Sequence, residues 1–140
     1  MVTVLVLALV ACSGNGGGSG TLTVTIDGKA YAFAGVTCSI DPNLVSLTVS
    51  VGDENAGDYV KLEAGSRAAG KNGFLSGGGT FHDFGLLGHR GDTTFGLDPD
   101  SELTIELPSD LRSGTFSGGV RFGKVGHRLA KGGMTGSFAC

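Results

Sequence analysis

Leu22, Val24 and Ile26 alternate with Thr21, Thr23 and Thr25, the period of two expected of a strand with one buried face. Asp27-Gly28 follows, a strong hairpin-turn dipeptide, and Tyr31, Phe33 and Gly35 begin the returning strand. The clearest alternation in the chain sets Val45, Leu47, Val49 and Val51 against Ser46, Thr48 and Ser50. A polar turn from Gly52 to Asp58 leads to a short strand carrying Val60 and Leu62. Further strands are predicted over Thr80 to Leu87, at Leu103-Ile105-Leu107 between Glu102, Thr104 and Glu106, over Thr115 to Phe122, and over Met134 to Cys140. Between residues 64 and 101 glycine interrupts every run, and the pattern is weakest there. Gly-Thr-Phe occurs at 79–81 and again at 114–116, too short an echo to establish a repeat. No segment keeps a helical period over three turns. Many short strands punctuated by Gly, Asn, Asp and Pro predict an all-β fold, a single small antiparallel β-sandwich or flattened barrel.

The first residues follow a different pattern. Residues 2–10 are uncharged and almost wholly apolar, and they run through Ala11 to Cys12 and then into Ser13-Gly14-Asn15-Gly16-Gly17-Gly18-Ser19-Gly20. The apolar run is much shorter than the roughly 20 residues that a spanning helix needs. Its length and its small residues match a secretory signal peptide, although no Lys or Arg precedes it. With a cysteine at the cleavage point, the segment reads as a lipobox. Residues 1–11 are then a signal peptide, Cys12 carries the acyl chains, and the Gly/Ser-rich stretch to residue 20 is a flexible tether. Residues 21–140 form the domain. Lipid attachment at Cys12 predicts a cell-membrane protein anchored on the extracytoplasmic side.

Composition narrows the partners. The chain has 140 residues, a formal net charge of −3 and only 16% charged residues, so there is no basic footprint for nucleic acid. No polybasic run could hold a membrane surface on its own, which leaves attachment to the lipid. Three cysteines are present, and with Cys12 acylated an even pair remains, Cys38 and Cys140. In an exported domain a disulfide is the simplest reading of such a pair, with two buried free thiols or an intermolecular bond as alternatives.

Several motifs approach known chemistry. Gly65-Ser66-Arg67-Ala68-Ala69-Gly70-Lys71-Asn72 approaches a phosphate-binding loop, but Asn72 stands where the magnesium-binding hydroxyl belongs, and the glycines up to Gly79 cannot sustain the required helix. Arg90-Gly91-Asp92 matches a tripeptide read by some adhesion receptors, yet Gly-Asp is ordinary turn chemistry. His82, His89 and His127, with Asp83 and Asp92, are the only metal-ligand candidates. They lack the spacing of a zinc site, and His82 and Asp83 would point to opposite faces of a strand, so no metal is expected. No serine sits in a nucleophile elbow. Asp53-Glu54 and Asp98/Asp100 lie in turns, as solvated caps rather than acid–base partners. No catalytic residue and no cofactor is therefore predicted. Phe74, Phe81, Phe84 and Phe95 lie in the least regular region, where they could line a lipid or glycolipid cavity or simply pack the core.

The order of motifs resembles a known family. Val24-Thr25-Ile26-Asp27-Gly28-Lys29, Gly35-Val36-Thr37-Cys38, the strand at Asn43-Leu44-Val45-Ser46-Leu47, then Ser113-Gly114-Thr115-Phe116-Ser117-Gly118, a basic stretch and Ser137-Phe138-Ala139-Cys140 are similar to the LpqH-type mycobacterial lipoprotein antigens. The resemblance covers residues 21–51 and 113–140. It implies a β-rich cell-envelope lipoprotein with one disulfide between Cys38 and Cys140 and no catalytic activity. It also implies a surface antigen whose acylated N-terminus is sensed by host innate immune receptors. A carrier of envelope lipid or glycolipid is the alternative function.

Overall fold

A computed structural model describes residues 18–41, 46–64, 78–82 and 84–140. The expected signal peptide, Cys12, the first part of the tether, residues 43–45 of the third strand, the segment 65–72, Phe74 and Asp83 lie outside the described residues. Among the described residues there are ten strands: β1 (Gly20–Ile26), β2 (Lys29–Asp41), β3 (Ser46–Val51), β4 (Tyr59–Ala64), β5 (Gly79–Phe81), β6 (Gly85–Arg90), β7 (Thr93–Leu97), β8 (Thr104–Leu107), β9 (Ser113–Lys124) and β10 (Ala130–Ala139). Eight of them close an antiparallel barrel in the order β1-β2-β3-β4-β6-β7-β9-β10, with β10 returning to β1. The all-β expectation holds, and its flattened-barrel form describes the closure.

Two turns shape the first hairpin. Asp27 and Gly28 both have positive φ (47° and 84°), the geometry that a right-twisted two-residue hairpin demands and that Asp-Gly supplies cheaply. On the returning strand Gly20 faces Val36 while Thr21 faces Ala34, which leaves Gly35 as an extra residue. Its φ of 72° suits glycine, and the bulge bends β2 so that Phe33 and Val36 both point inward.

β9 is shared between two partners. Its first half pairs with β8, its second half with β7, and Ser113 to Phe122 with β10. β5 then adds to the outer side of β8. The Gly-Thr-Phe echo has a structural counterpart here. Phe81 and Phe116 both face Ile105, and Thr80 and Thr115 both face Glu106, so the two tripeptides flank β8 in the same register.

The interior is filled by side chains from all the barrel strands, among them Leu22, Val24, Leu47, Val49, Val60, Leu62, Phe95 and Val120, each almost completely buried. Along β9 and β10 the inward pairs set a glycine against a larger residue: Gly114 against Phe138, Phe116 against Gly136, Gly118 against Met134, and Val120 against Gly132. Gly88 on β6 likewise faces Phe95 on β7. A phenylalanine ring lies across the bare backbone opposite it, so small and large residues fill the interior together.

This arrangement explains where the sequence pattern misled. The single strand expected over Thr80 to Leu87 is two strands, β5 and β6, that occupy different places in the sheet. The sequence pattern does not predict β7. On β6 the inward position opposite Phe95 is Gly88, and β7 turns inward only Thr93, Phe95 and Leu97, so neither strand carries a clear apolar alternation.

Candidate functional site

The barrel has two unlike ends. At one end lie the start of β1, the end of β2 and the C-terminus; at the other lie the hairpin turns at 27–28, 52–58, 91–92 and 125–129. Cys38, near the end of β2, is bonded to Cys140, just past β10, with Cα atoms 5.8 Å apart and 102 positions between them in sequence. The pairing is therefore intramolecular. Because β1 lies between β2 and β10, the bond straddles the point where β1 begins. Cys140 N–H also donates to the Arg112 carbonyl at 2.7 Å, and Leu111, at a φ of 56°, tucks its side chain into the core beside it.

The last residues of the expected tether are built into this end. Gly20 already belongs to β1. A Cβ on Gly20 would lie 2.6 Å from the Ala139 carbonyl oxygen and 2.8 Å from Val36 Cγ2, and one on Gly18 would overlap the Val36 carbonyl and reach 2.7 Å from Thr37 Cα. Glycine at these two positions is thus needed for close approach to β2, beyond any role in flexibility. Gly18, Ser19, Val36, Thr37, Leu111 and both bonded cysteines contribute to a groove of ≈ 410 Å³.

The other sequence candidates are dispersed. His82 Nδ1 lies 3.3 Å from the Leu103 carbonyl oxygen, His89 stacks on Tyr59 with ring centroids 6.2 Å apart, and His127 sits in the β9–β10 turn. Among the described residues no three His, Cys, Asp or Glu side chains converge as metal ligands. Arg90-Gly91-Asp92 forms the β6–β7 hairpin, and all three residues are engaged within the fold. Arg90 donates to the Ala32 carbonyl, lies over the Phe33 ring at 5.3 Å and pairs with Asp58 at 3.7 Å. Gly91 N–H donates to Asp58 at 2.8 Å, and Asp92 pairs with Lys124 at 3.6 Å. Phe84 and Phe95 are buried in the core and Phe81 packs partly against it.

The carboxylates divide. Asp53 caps its own turn, accepting the Asn55 N–H at 2.9 Å. Asp98, expected to be solvated, is buried instead. Its carboxylate is 3.4 Å from Arg121 Nε and 3.5 Å from Lys131 Nζ, and it accepts the Asp100 N–H at 3.3 Å. Burial alone raises this carboxyl's pKa, but the Asp100 N–H together with Lys131 and Arg121 outweighs it and holds the group below its ordinary value. Ser101 completes the corner: its hydroxyl donates to the Asp98 carbonyl at 2.8 Å and accepts the Gly119 N–H at 3.0 Å. A Cβ on Gly119 would lie 2.6 Å from Ser101 Cβ, so glycine lets the β7–β8 turn lock onto β9 where β9 changes partners. The network joins β7, β9 and β10 and serves the fold. The sequence offered no sign of it, since Asp98-Pro99-Asp100 reads as a surface turn.

What remains is a disulfide-closed barrel whose N-terminal strand starts beneath its own covalent bridge. No protein-family model matches the chain, and no curated protein matches it.

Proposed function

We propose that this chain is a Cys12-acylated lipoprotein of the cell envelope. Its barrel is a non-catalytic body held on the outer side of the cytoplasmic membrane, as a surface antigen or interaction module of the LpqH type. The observation that carries the reading is the position of the Cys38–Cys140 bond beside Gly18–Gly20, where a chain coming from Cys12 joins the barrel. A disulfide belongs to an exported protein, and its removal opens a chain closure worth about 4.7 kcal/mol for a loop near 100 residues. A pull along the tether reaches β1 first, and β1 is hydrogen-bonded on both sides to strands that the bond ties together.

A single acyl chain gives marginal membrane binding, whereas two or more anchor stably. On this reading Cys12 supplies all of the durable attachment. Innate immune receptors would meet the acyl chains and the first mature residues, while the barrel presents its outer face to other envelope partners. The interior supports a module of this kind over a carrier that encloses envelope lipid, because Phe84 and Phe95 lie in the core and Phe81 packs against it.

Labelling cells with a clickable palmitate analogue tests the proposal. Incorporation into the wild-type chain and none into Cys12→Ala is the expected result. Equal incorporation into both, or none into either, would refute it.

A further inference from the structure

The β9–β10 hairpin ends in a tip unlike the other turns. Val125 and Leu129 are 62% and 41% exposed, two of the four large apolar side chains that stand exposed among the described residues, and they occupy one five-residue turn. The turn is held in shape. Val125 N–H donates to the Asp92 carbonyl and His127 N–H to the Lys124 carbonyl, both at 3.1 Å, and Gly126 supplies a positive φ of 80°. Three cations, Lys124, Arg128 and Lys131, belong to the hairpin end itself. From residue 111 to the C-terminus the chain carries Arg112, Arg121, Lys124, Arg128 and Lys131 and no Asp or Glu, in a protein whose net charge is −3.

Not all of that charge is free. Lys124 pairs with Asp92, Lys131 with Asp98, and Arg121 with Asp98 and Asp100, while Arg112 lies at the far end beside Cys140. Asp53, Glu54 and Asp58 of the 52–58 turn share the tip's end of the barrel, and Asp27 faces the base of the hairpin, where its carboxylate accepts the Gly133 N–H. Arg128, flanked by His127 and Leu129, has no ion-pair partner among the described residues. Exposed Val125, and Leu129 whose side chain leans over Gly123 yet keeps 41% of its surface open, sit on a hydrogen-bonded turn beside an unpaired guanidinium. That combination suits one kind of surface: acyl-chain boundary for Val125 and Leu129, phosphate headgroups for Arg128. A soluble polyanion would use the arginine and leave the apolar side chains in water.

We infer that the 124–131 hairpin tip docks on an anionic lipid bilayer, through insertion of Val125 and Leu129 and headgroup contact by Arg128. The tip lies at the end of the barrel away from Gly20, so this contact is separate from the acyl anchor and does not depend on it.

The test uses the full chain carrying Cys12→Ser and Val125→Cys, labelled at the introduced thiol with a polarity-sensitive fluorophore while the Cys38–Cys140 bond stays closed. Vesicles are phosphatidylcholine alone or mixed with phosphatidylglycerol. A blue shift with the mixed vesicles only, reversed by high salt, is expected. Adding Arg128→Glu should raise the lipid needed for half-saturation by roughly thirtyfold, as reversing one interfacial charge implies. No shift would overturn the inference. So would an equal shift with phosphatidylcholine alone, the same shift with soluble polyphosphate, or the same shift from a label at Leu87→Cys on the barrel wall.

Discussion

Gly136 and Gly133 lie on the same strand, three residues apart, and should respond to alanine in opposite directions. Gly136 faces inward opposite Phe116. A Cβ there would lie 2.7 Å from the Thr23 carbonyl oxygen and overlap the Phe116 ring at Cζ and Cε2. Ordinary contact begins at about 3.4 Å, so strand β1 would have to give way by several tenths of an ångström and the ring by more. The ring has little room, since Phe116 is 3% exposed and packs against Phe84 with centroids 5.8 Å apart. Overpacking of this kind costs about 1–3 kcal/mol, and the lower entropy of the unfolded alanine chain returns about 0.4–1 kcal/mol. Gly136→Ala should therefore lose about 1–2 kcal/mol. Gly133 faces outward with nothing within 4 Å of the added Cβ, so Gly133→Ala should be neutral or gain up to about 1 kcal/mol. Urea unfolding followed by far-ultraviolet circular dichroism measures both, and an unchanged m-value would show that only stability moved. Phe116→Leu in the Gly136→Ala background should recover part of the loss, a coupling of about 0.5–1.5 kcal/mol in a double-mutant cycle. Equal midpoints for the two alanine variants, or additive effects of Gly136→Ala and Phe116→Leu, would refute the claim that this ring occupies the glycine's missing side chain.

Other consequences are as specific. Replacing both Cys38 and Cys140 by serine should lower the unfolding free energy by about 4 kcal/mol, and a reductant should do the same to the wild type but nothing to the variant; a loss under about 1 kcal/mol would contradict the closure argument. The Asp98 carboxyl is held below its unfolded value near 3.9, so its contribution is fully present above that value and is lost as pH falls through the folded one. Asp98→Asn should therefore flatten the acid limb of the stability profile below about pH 4 and weaken the protein at pH 7; an acid limb identical to wild type would count against the network. Arg90→Lys keeps the charge but loses the planar face over Phe33 and the donor fork, and should cost about 0.5–1 kcal/mol by urea midpoint. An unchanged midpoint would mean that Arg90 is a surface group free for other uses.

The fold was legible wherever apolar side chains marked the inward positions. β1, the first hairpin, β3 and β4 follow directly from Leu22-Val24-Ile26, Asp27-Gly28, Leu47-Val49 and Val60-Leu62. From Gly85 onward the inward positions include Gly88, Gly114, Gly118, Gly132 and Gly136, and their partners across the ladder supply the bulk. A pattern read along one strand cannot register a volume contributed by the next, so Gly88 conceals part of β6. β7 offers only Phe95 and Leu97 as apolar inward residues, and Phe81, Phe84 and Leu86 read as one apolar run across the break between β5 and β6. The cysteines were legible as a pair, but that their bond bridges the two neighbours of β1 required the strand order. Asp98 reads as solvated because the sequence around it is that of a turn; its ion-pair partners Arg121 and Lys131 are distant in sequence and cannot be read from it. Gly18 and Gly20 resembled spacer residues because a glycine chosen for close approach and one chosen for freedom look the same in a sequence.

Intact mass spectrometry of the protein extracted from membranes without reductant tests the central claim most directly. The expected species begins at Cys12, lacks residues 1–11, is heavier than its polypeptide by the acyl groups on that residue, and is lighter by the hydrogens lost in joining Cys38 to Cys140. A species that retains Met1, carries no acyl mass and holds all its cysteines as thiols would contradict it.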